Sequence, residues 1–470
     1  MEAALKSIAA LSRLIGAGEI SPVELTRQTL DRIERLDSQL NSYITTTADL
    51  ALRQAEAAER EIHAGNRRGP LHGIPYALKD LFFTKGIKTT AGSRVFADFV
   101  PSYDATVVEK LAAAGTVLLG KTGLHENAYG ITSNNPHFGA VRNPWDTSCI
   151  PGGSSGGSAA ALAAGLCSFS LGTDTGGSIR IPASFCGVAG LKPTFGRVSR
   201  YGVFPLSHTL DHVGPFAWTA EDLWYIFAAM AGQDAQDEST VDRPLAVPQF
   251  SAEPSLHGRK IGVPANFYFE NLDPEVEAAT RAALVQMEML GAELVGVTVP
   301  DIEEFNLIAR LIQIAEASSV HVNNLDSRRE DYGDDQQTLL DQGRFVTAVD
   351  YLNAQRRRRQ LNREFYELFD HLDALAAPAV AILPAKIGQT SVVVNGVEED
   401  VRMMITRNAR ALNMTGLPLL SLPCGLSASG LPIGIQLVGA LFDEKSVLEI
   451  GHAYQLATDW HDRRPPMAIR

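Results

Sequence analysis

Cysteine is scarce: the chain carries four, Cys149, Cys167, Cys186 and Cys424. No two form a CxxC pair and no histidine lies at zinc-finger spacing. Neither a metal site nor a disulfide frame is therefore signalled, and reduced thiols in a reducing compartment are expected. Long apolar runs are lacking too. None reaches the roughly 20 residues that a bilayer-spanning helix needs. The opening residues have no basic start, apolar centre and small-residue cleavage site of a secretory signal. A cytoplasmic location without membrane contact is the expectation. Low-complexity tracts, blocks of like charge, internal repeats and Pro/Gly/Ser-rich linkers are also missing, which excludes long disorder and gives no place to divide the chain. Positive charge is in deficit, with 41 Lys and Arg against 54 Asp and Glu and a formal charge of −13. Such a field repels nucleic acid and anionic membranes, so neither is expected as a partner.

What is present is ordinary globular material: 470 residues, 45% hydrophobic and 20% charged, long enough to bury a large core. Residues 1 to about 65 read as helical. Ser21 caps a helix, Pro22 suits its first turn, Glu24 completes a capping box, and Leu25, Leu30, Ile33 and Leu36 form its apolar stripe. A polar helix follows from about Asp49 to Ala64. Beyond Gly69, glycine and proline become dense. Tyr76–Leu78, Thr116–Leu119 and Phe169–Leu171 read as buried strands, and Ser158–Leu166 as a tightly packed helix. Later strands are expected at Lys260–Val263, Ala374–Ala377, Leu419–Leu422 and Gly434–Val438, with helices at 274–290, 302–320, 345–370 and 444–457. This alternation predicts an α/β sheet with helices on both faces. The one basic run, Arg356–Arg359, reads as a solvated helix face, with a carboxylate contact by one arginine as the alternative.

Three segments carry the elements of acyl-transfer chemistry. The run PGGSSGGS over 151–158 lets backbone approach a ligand closely and feeds directly into a helix, whose N-terminal end favours negative charge. The string GTDTGGSIR over 172–180 follows a short strand. Its paired glycines let the N–H groups of Thr175, Gly176, Gly177 and Ser178 turn towards one point, as an oxyanion requires. In HGIPYALKD over 72–80, Lys79 ends an apolar strand. A lysine there is either a surface charge or a desolvated base of lowered pKa.

Together with NMTGLPLLSLPCG over 413–425, these strings resemble the amidase signature family, most densely from residue 70 to 215. The resemblance implies a single-domain α/β/α sandwich over 1–470, with a large mixed central β-sheet flanked by helices. Within it, 1–65 would form an N-terminal helical segment, 66–232 the signature core and 233–470 the part shaping the substrate cleft. It implies Lys79 as base, Ser154 as a serine in a cis backbone conformation and Ser178 as nucleophile. Ser155 would support this network, Thr175 to Ser178 would form the oxyanion loop, and Ala128, Tyr129 and Gly130 would line the cleft. The implied activity is hydrolysis of a linear amide-type C–N bond (amide, anilide, carbamate or urea) through an acyl-enzyme, without metal or cofactor, on a small-molecule substrate. A homodimer is a family-level expectation. The alternative is the glutaminase (A) subunit of a tRNA-dependent amidotransferase, whose strings include RVSRYG, here 197–202. Arg358 falls near where such subunits hold the glutamine carboxylate. The acidic residue they carry shortly before the GLP string is missing from Ile405–Asn413.

Two other motifs lead elsewhere. Gly115–Thr122 satisfies GxxxxGK(S/T), but its middle residues read as a buried strand rather than a phosphate-wrapping loop. Gly152–Gly156 satisfies GxSxG, but no strand precedes it to form a nucleophile elbow, which would also need His208, His212 or His452. His72, His125, His137 and His208 read as structural hydrogen-bonders. Phe82, Phe83, Tyr129, Phe138 and Tyr201 hint at an aryl pocket, although aromatics of this kind more often fill a core. The substrate itself is not legible.

Overall fold

Eleven strands form one mixed sheet in the computed structural model, which describes residues 2–469. In chain order they are β1 Tyr43–Thr46, β2 Pro75–Lys79, β3 Val117–Thr122, β4 Phe169–Asp174, β5 Ala189–Lys192, β6 His212–Ala217, β7 Lys260–Pro264, β8 Glu293–Val297, β9 Ala374–Pro378, β10 Leu419–Leu426 and β11 Pro432–Val438. Their spatial order is β1-β3-β2-β4-β6-β5-β10-β11-β9-β7-β8. Parallel pairing joins β2 to β3 and β4, and β7 to β8 and β9; the other neighbours are antiparallel.

Both faces of this sheet are covered, because successive strand residues enter different cores. Tyr76 and Leu78 of β2 pack in the same core as Leu223 and Phe227 of helix Ala220–Met230, whereas Ala77 packs with Leu162 of helix Gly156–Ala163. At the other end, Ala374 and Ala376 of β9 join the first core, while Leu375 and Ala377 meet Phe305 and Ile312 of helix Ile302–Ser327. The result is the helix–sheet–helix sandwich expected of the sequence.

The anticipated helices and strands form, with three differences. Tyr43–Thr46 is a strand inside the segment read as helical; it is four residues long and closes the sheet edge against β3. Ser21 does cap helix Pro22–Leu40, accepting from Glu24 N at 3.1 Å, but Glu24 does not complete a capping box; its carboxylate accepts from Gln28 instead. The helix expected from Ser158 begins two residues earlier, at Gly156. That early start needs glycine. A methyl group on Gly157 would lie 2.4 Å from the carbonyl oxygen of Gly123 and 2.7 Å from that of Ser42. Gly157→Ala therefore pushes the helix off its neighbouring backbone and is expected to cost about 1–3 kcal/mol, measured as a lowered thermal midpoint.

The P-loop-like string is structural, as its apolar middle suggests. Lys121 lies in β3, fully buried, and donates to the carbonyl of Phe82 and to Thr89 Oγ1 at 2.8 Å, with Asp80 3.7 Å away. Among the described residues no helix is long and apolar enough to cross a membrane.

Candidate active site

Lys79 is the last residue of β2, and its side chain leaves the strand end inside the protein, fully buried. Its Nζ donates to Ser154 Oγ at 2.7 Å and to Thr173 Oγ1 at 2.9 Å. Burial lowers the ammonium to about 7, against the opposing influence of Asp211 and Asp174. Removing a charge from water disfavours the charged form, so near neutral pH much of this lysine is free amine.

Ser154 reaches Lys79 from the glycine-rich loop that precedes helix Gly156–Ala163. The Gly153–Ser154 peptide bond is cis, as the resemblance implied. The Ser154 carbonyl accepts from the His125 N–H at 3.1 Å and from Ser133 Oγ at 3.3 Å. Ser155 fastens the same loop to β4: its hydroxyl donates to the Thr173 carbonyl at 3.1 Å and accepts from the Thr173 N–H at 3.3 Å.

Ser178 stands on the turn between β4 and helix Arg180–Cys186, 5% exposed, and lines a cavity of about 420 Å³. Its hydroxyl takes part in no hydrogen bond among the described residues. The Lys79–Ser154 link is thus closed in this structure and the Ser154–Ser178 link is not. Ala128, Tyr129, Gly130 and Gly176 line the same cavity; Thr175 and Gly177 sit beside it in the loop.

The turn is shaped by Asp174. Its carboxylate accepts from the N–H of Gly177 at 2.7 Å and of Ile179 at 3.1 Å, and receives Arg180 through Nε at 3.1 Å and Nη2 at 3.0 Å. Asn413 Nδ2 adds a bond at 2.9 Å. Burial alone would raise this carboxyl, but the Arg180 guanidinium overrides it and holds the group well below the usual carboxylate range. The Gly177 N–H is committed to Asp174, while Gly176 and Ser178 on either side of it line the cavity. Thr175 Oγ1 is itself held by Asp211 at 2.5 Å. Asp174→Ala would leave Arg180 buried with only the neutral Gln436 as partner and orphan the N–H groups of Gly177, Ile179 and Arg180. A loss of about 3–5 kcal/mol is expected in chemical denaturation.

Other residues fall elsewhere. Arg358 donates to the Met414 carbonyl at 2.9 Å and to Thr209, and does not line the Ser178 cavity. Within the basic run Arg357 pairs with Glu304, the carboxylate contact weighed above. Three of the histidines do find carboxylates: His72 meets Glu61, His125 meets Asp335 and His137 meets Glu126. Of the five aromatics only Tyr129 lines this cavity; Phe82 is core, and Phe83 and Tyr201 pack with Tyr103. Sequence reading missed Thr173 and Asp211 beside the lysine. It also missed the far wall of the cavity, which includes Arg310, Gln313, Asp400, Arg402, Thr406 and Arg410. These come from segments with no motif of their own.

Comparison with known proteins identifies the class to which this fold belongs. The profile of the Amidase family matches residues 24–448. The chain belongs to the amidase signature family. It is 42% identical to the A subunit of the glutamyl-tRNA(Gln) amidotransferase of Halorhodospira halophila, covering 98% of this chain and 99% of that one. Among solved structures, one described as a vestigial protein complex that reveals the origins of an s-triazine catabolic enzyme superposes with a TM-score of 0.91, at 36% identity, over 96% of this chain and 98% of that one. The glutamyl-tRNA(Gln) amidotransferase A subunit of Thermotoga maritima gives 0.77 at 33% identity, over 92% and 90%.

Proposed function

We propose that the protein hydrolyses an amide-type C–N bond of a small molecule through an acyl-enzyme on Ser178. Lys79 serves as base and Ser154 as the relay between them. The observation that carries this reading is the buried Lys79 amine, 2.7 Å from the Ser154 hydroxyl, behind the cavity that Ser178 lines. Neutral Lys79 accepts a proton from Ser154, which takes one from Ser178 as the latter attacks the carbonyl. The N–H groups of Gly176 and Ser178 meet the oxygen on which charge develops. The relay then returns a proton to the departing nitrogen, which leaves as a neutral amine rather than as an amide anion, a very poor leaving group. Water, activated by the same relay, releases the acyl group. Every step uses side chains and backbone of this chain, and no cofactor enters.

The same chemistry serves a free amidase and a glutaminase subunit, and kinship favours the latter. Relatives 39–42% identical over 98% of the chain carry the name of the glutamyl-tRNA(Gln) amidotransferase A subunit. In that setting the protein works with partner chains and glutamine is its amide. Against glutamine stands the 405–413 stretch, which gives the cavity Thr406 and Arg410 but no carboxylate for an α-ammonium. Ammonia release from glutamine, measured on the chain alone and with candidate partner subunits, decides between them. Turnover of glutamine only with partners supports the glutaminase role; turnover of other amides by the chain alone supports the free amidase.

A further inference from the structure

The cavity that Ser178 lines has a charge balance the acyl-transfer chemistry does not use. Arg310, from helix Ile302–Ser327, and Arg410, at the start of helix Arg410–Met414, both line it. Arg410 lies close to the reacting groups. A methyl group on Gly176 would sit 3.7 Å from Arg410 Cγ and 3.7 Å from Gln313 Oε1, and Gly176 is two residues from the nucleophile. Neither arginine has a salt-bridge or hydrogen-bond partner among the described residues. Arg410 is half-buried and Arg310 exposed; the buried Arg180 and Arg197 are both paired, with Asp174 and Glu444. Burial, with Arg310 alongside, lowers the Arg410 guanidinium to about 10, which leaves it charged at neutral pH.

A third group points the same way. The Tyr129 hydroxyl is buried without a hydrogen-bond partner, on a residue only 6% exposed that lines the cavity. Burial raises this phenol while Arg410 and Arg310 oppose the rise, so the three side chains share one space. The phenol stays protonated and is a donor waiting for an acceptor. A buried donor left unpaired is costly, and this one belongs to a residue of the cavity lining, where a ligand oxygen would satisfy it.

Anionic side chains do not cancel this charge. The only carboxylate lining the cavity among the described residues is Asp400, which is committed to capping helix Val401–Arg407 through Met403 N at 2.9 Å. The third cation, Arg402, is matched by Asp335 at 3.3 Å. Arg310 and Arg410 have no such pairing, and three arginines face the one carboxylate in the cavity lining.

We propose that Arg310, Arg410 and Tyr129 form a carboxylate-binding subsite, and that the substrate is a small amide bearing a carboxylate. This rests on the acyl-transfer reading of Ser178. Two guanidiniums and a phenol surround one carboxylate with donors, the arrangement in which charge-assisted hydrogen bonds are strongest. Such a site holds the scissile carbonyl over the Gly176–Ser178 turn by its anionic end and disfavours uncharged amides, which would leave the half-buried Arg410 and the Tyr129 hydroxyl without an acceptor.

The test uses the purified full chain and a matched pair of primary amides, succinamate and butyramide, which differ in the carboxylate. The expected ratio of kcat/KM is about 100-fold in favour of succinamate. In Arg410→Gln and Arg310→Gln that ratio is expected to collapse at least tenfold, with Arg410→Lys regaining part of it. A second arm needs no turnover: calorimetry of Ser178→Ala with succinate is expected to detect binding that the added Arg410→Gln removes, with thermal melting confirming that both variants are folded. Equal turnover of the two amides, ratios unmoved by either arginine, or no succinate binding would overturn the subsite. Each of these leaves the underlying reading intact as long as an active-site serine reagent labels Ser178. If neither amide is turned over and Ser178 is not labelled, the acyl-transfer reading fails, while the calorimetry still judges the subsite.

Discussion

Ser178→Ala is expected to lower kcat/KM for amide hydrolysis by at least about 10⁴-fold, since removal of a serine nucleophile from a comparable constellation costs up to about 10⁶. The physical reason is direct. The other hydroxyls on the Gly172–Arg180 turn are engaged, Thr173 by Lys79 Nζ and Thr175 by Asp211. Ser154 cannot substitute, because its hydroxyl is held by Lys79 at 2.7 Å on the far side of the glycine loop. Stability should barely move. The Ser178 hydroxyl forms no hydrogen bond among the described residues, so its loss orphans no partner, and a surface-like change of about 0.5 kcal/mol or less is expected. An inactive protein with an unchanged melting temperature is the signature; a parallel loss of both would instead make Ser178 a structural residue.

Lys79→Met is the second large effect, expected to cost about 10³–10⁴-fold in kcat, the scale of a positioned general base. Methionine keeps the length of the side chain but neither donates nor accepts the proton, and it leaves the Ser154 and Thr173 hydroxyls without their shared partner. The wild-type pH profile gives an independent reading. Below about 7 the lysine is protonated and cannot accept a proton from Ser154. The logarithm of kcat/KM should therefore rise with slope one as pH increases, and level off above about 7. In Lys79→Met the residual activity should lose this ascending limb. Stability carries the same sign. The folded value, about 7, lies below that of a lysine in the unfolded chain, so between about pH 7 and 10 the unfolded state binds more protons. The contribution of Lys79 to stability rises with pH through that window and is at its least favourable below it. A flat activity profile between pH 5 and 9 would contradict the role of a neutral lysine.

The parts of this protein that are readable from sequence are those where backbone geometry leaves no choice of residue. Gly157 touches two carbonyl oxygens and tolerates no side chain, and the paired glycines before Ser178 permit the turn that Asp174 gathers. Such constraints write themselves into short strings, which is why Lys79, Ser154 and Ser178 stand out although 75 residues separate the first two. The strand centres are legible for a related reason, since buried parallel strands such as β2 and β3 are continuous apolar runs. The edge strand Tyr43–Thr46 is not, because four residues between two helices carry too little pattern to compete with their surroundings. The cleft is least legible. Arg310 and Arg410 are far apart in sequence, on helices whose composition is ordinary, and only the tertiary fold brings both to one cavity. Arg358 misleads for the opposite reason: it lies within a motif-like run, yet its side chain is spent on Thr209 and the Met414 carbonyl. Asp174 is in plain view in GTDTGGSIR, but nothing in a linear string tells that its carboxylate accepts from the Gly177 N–H.

The division of labour between the two serines is the claim on which the rest stands. It is tested most directly by treating the wild-type chain, Ser154→Ala and Ser178→Ala with a fluorophosphonate and locating the adduct by peptide mass spectrometry. The account predicts one adduct per chain, on Ser178, formed much more slowly in Ser154→Ala and absent in Ser178→Ala. An adduct on Ser154, or labelling that survives the loss of Ser178, would contradict it.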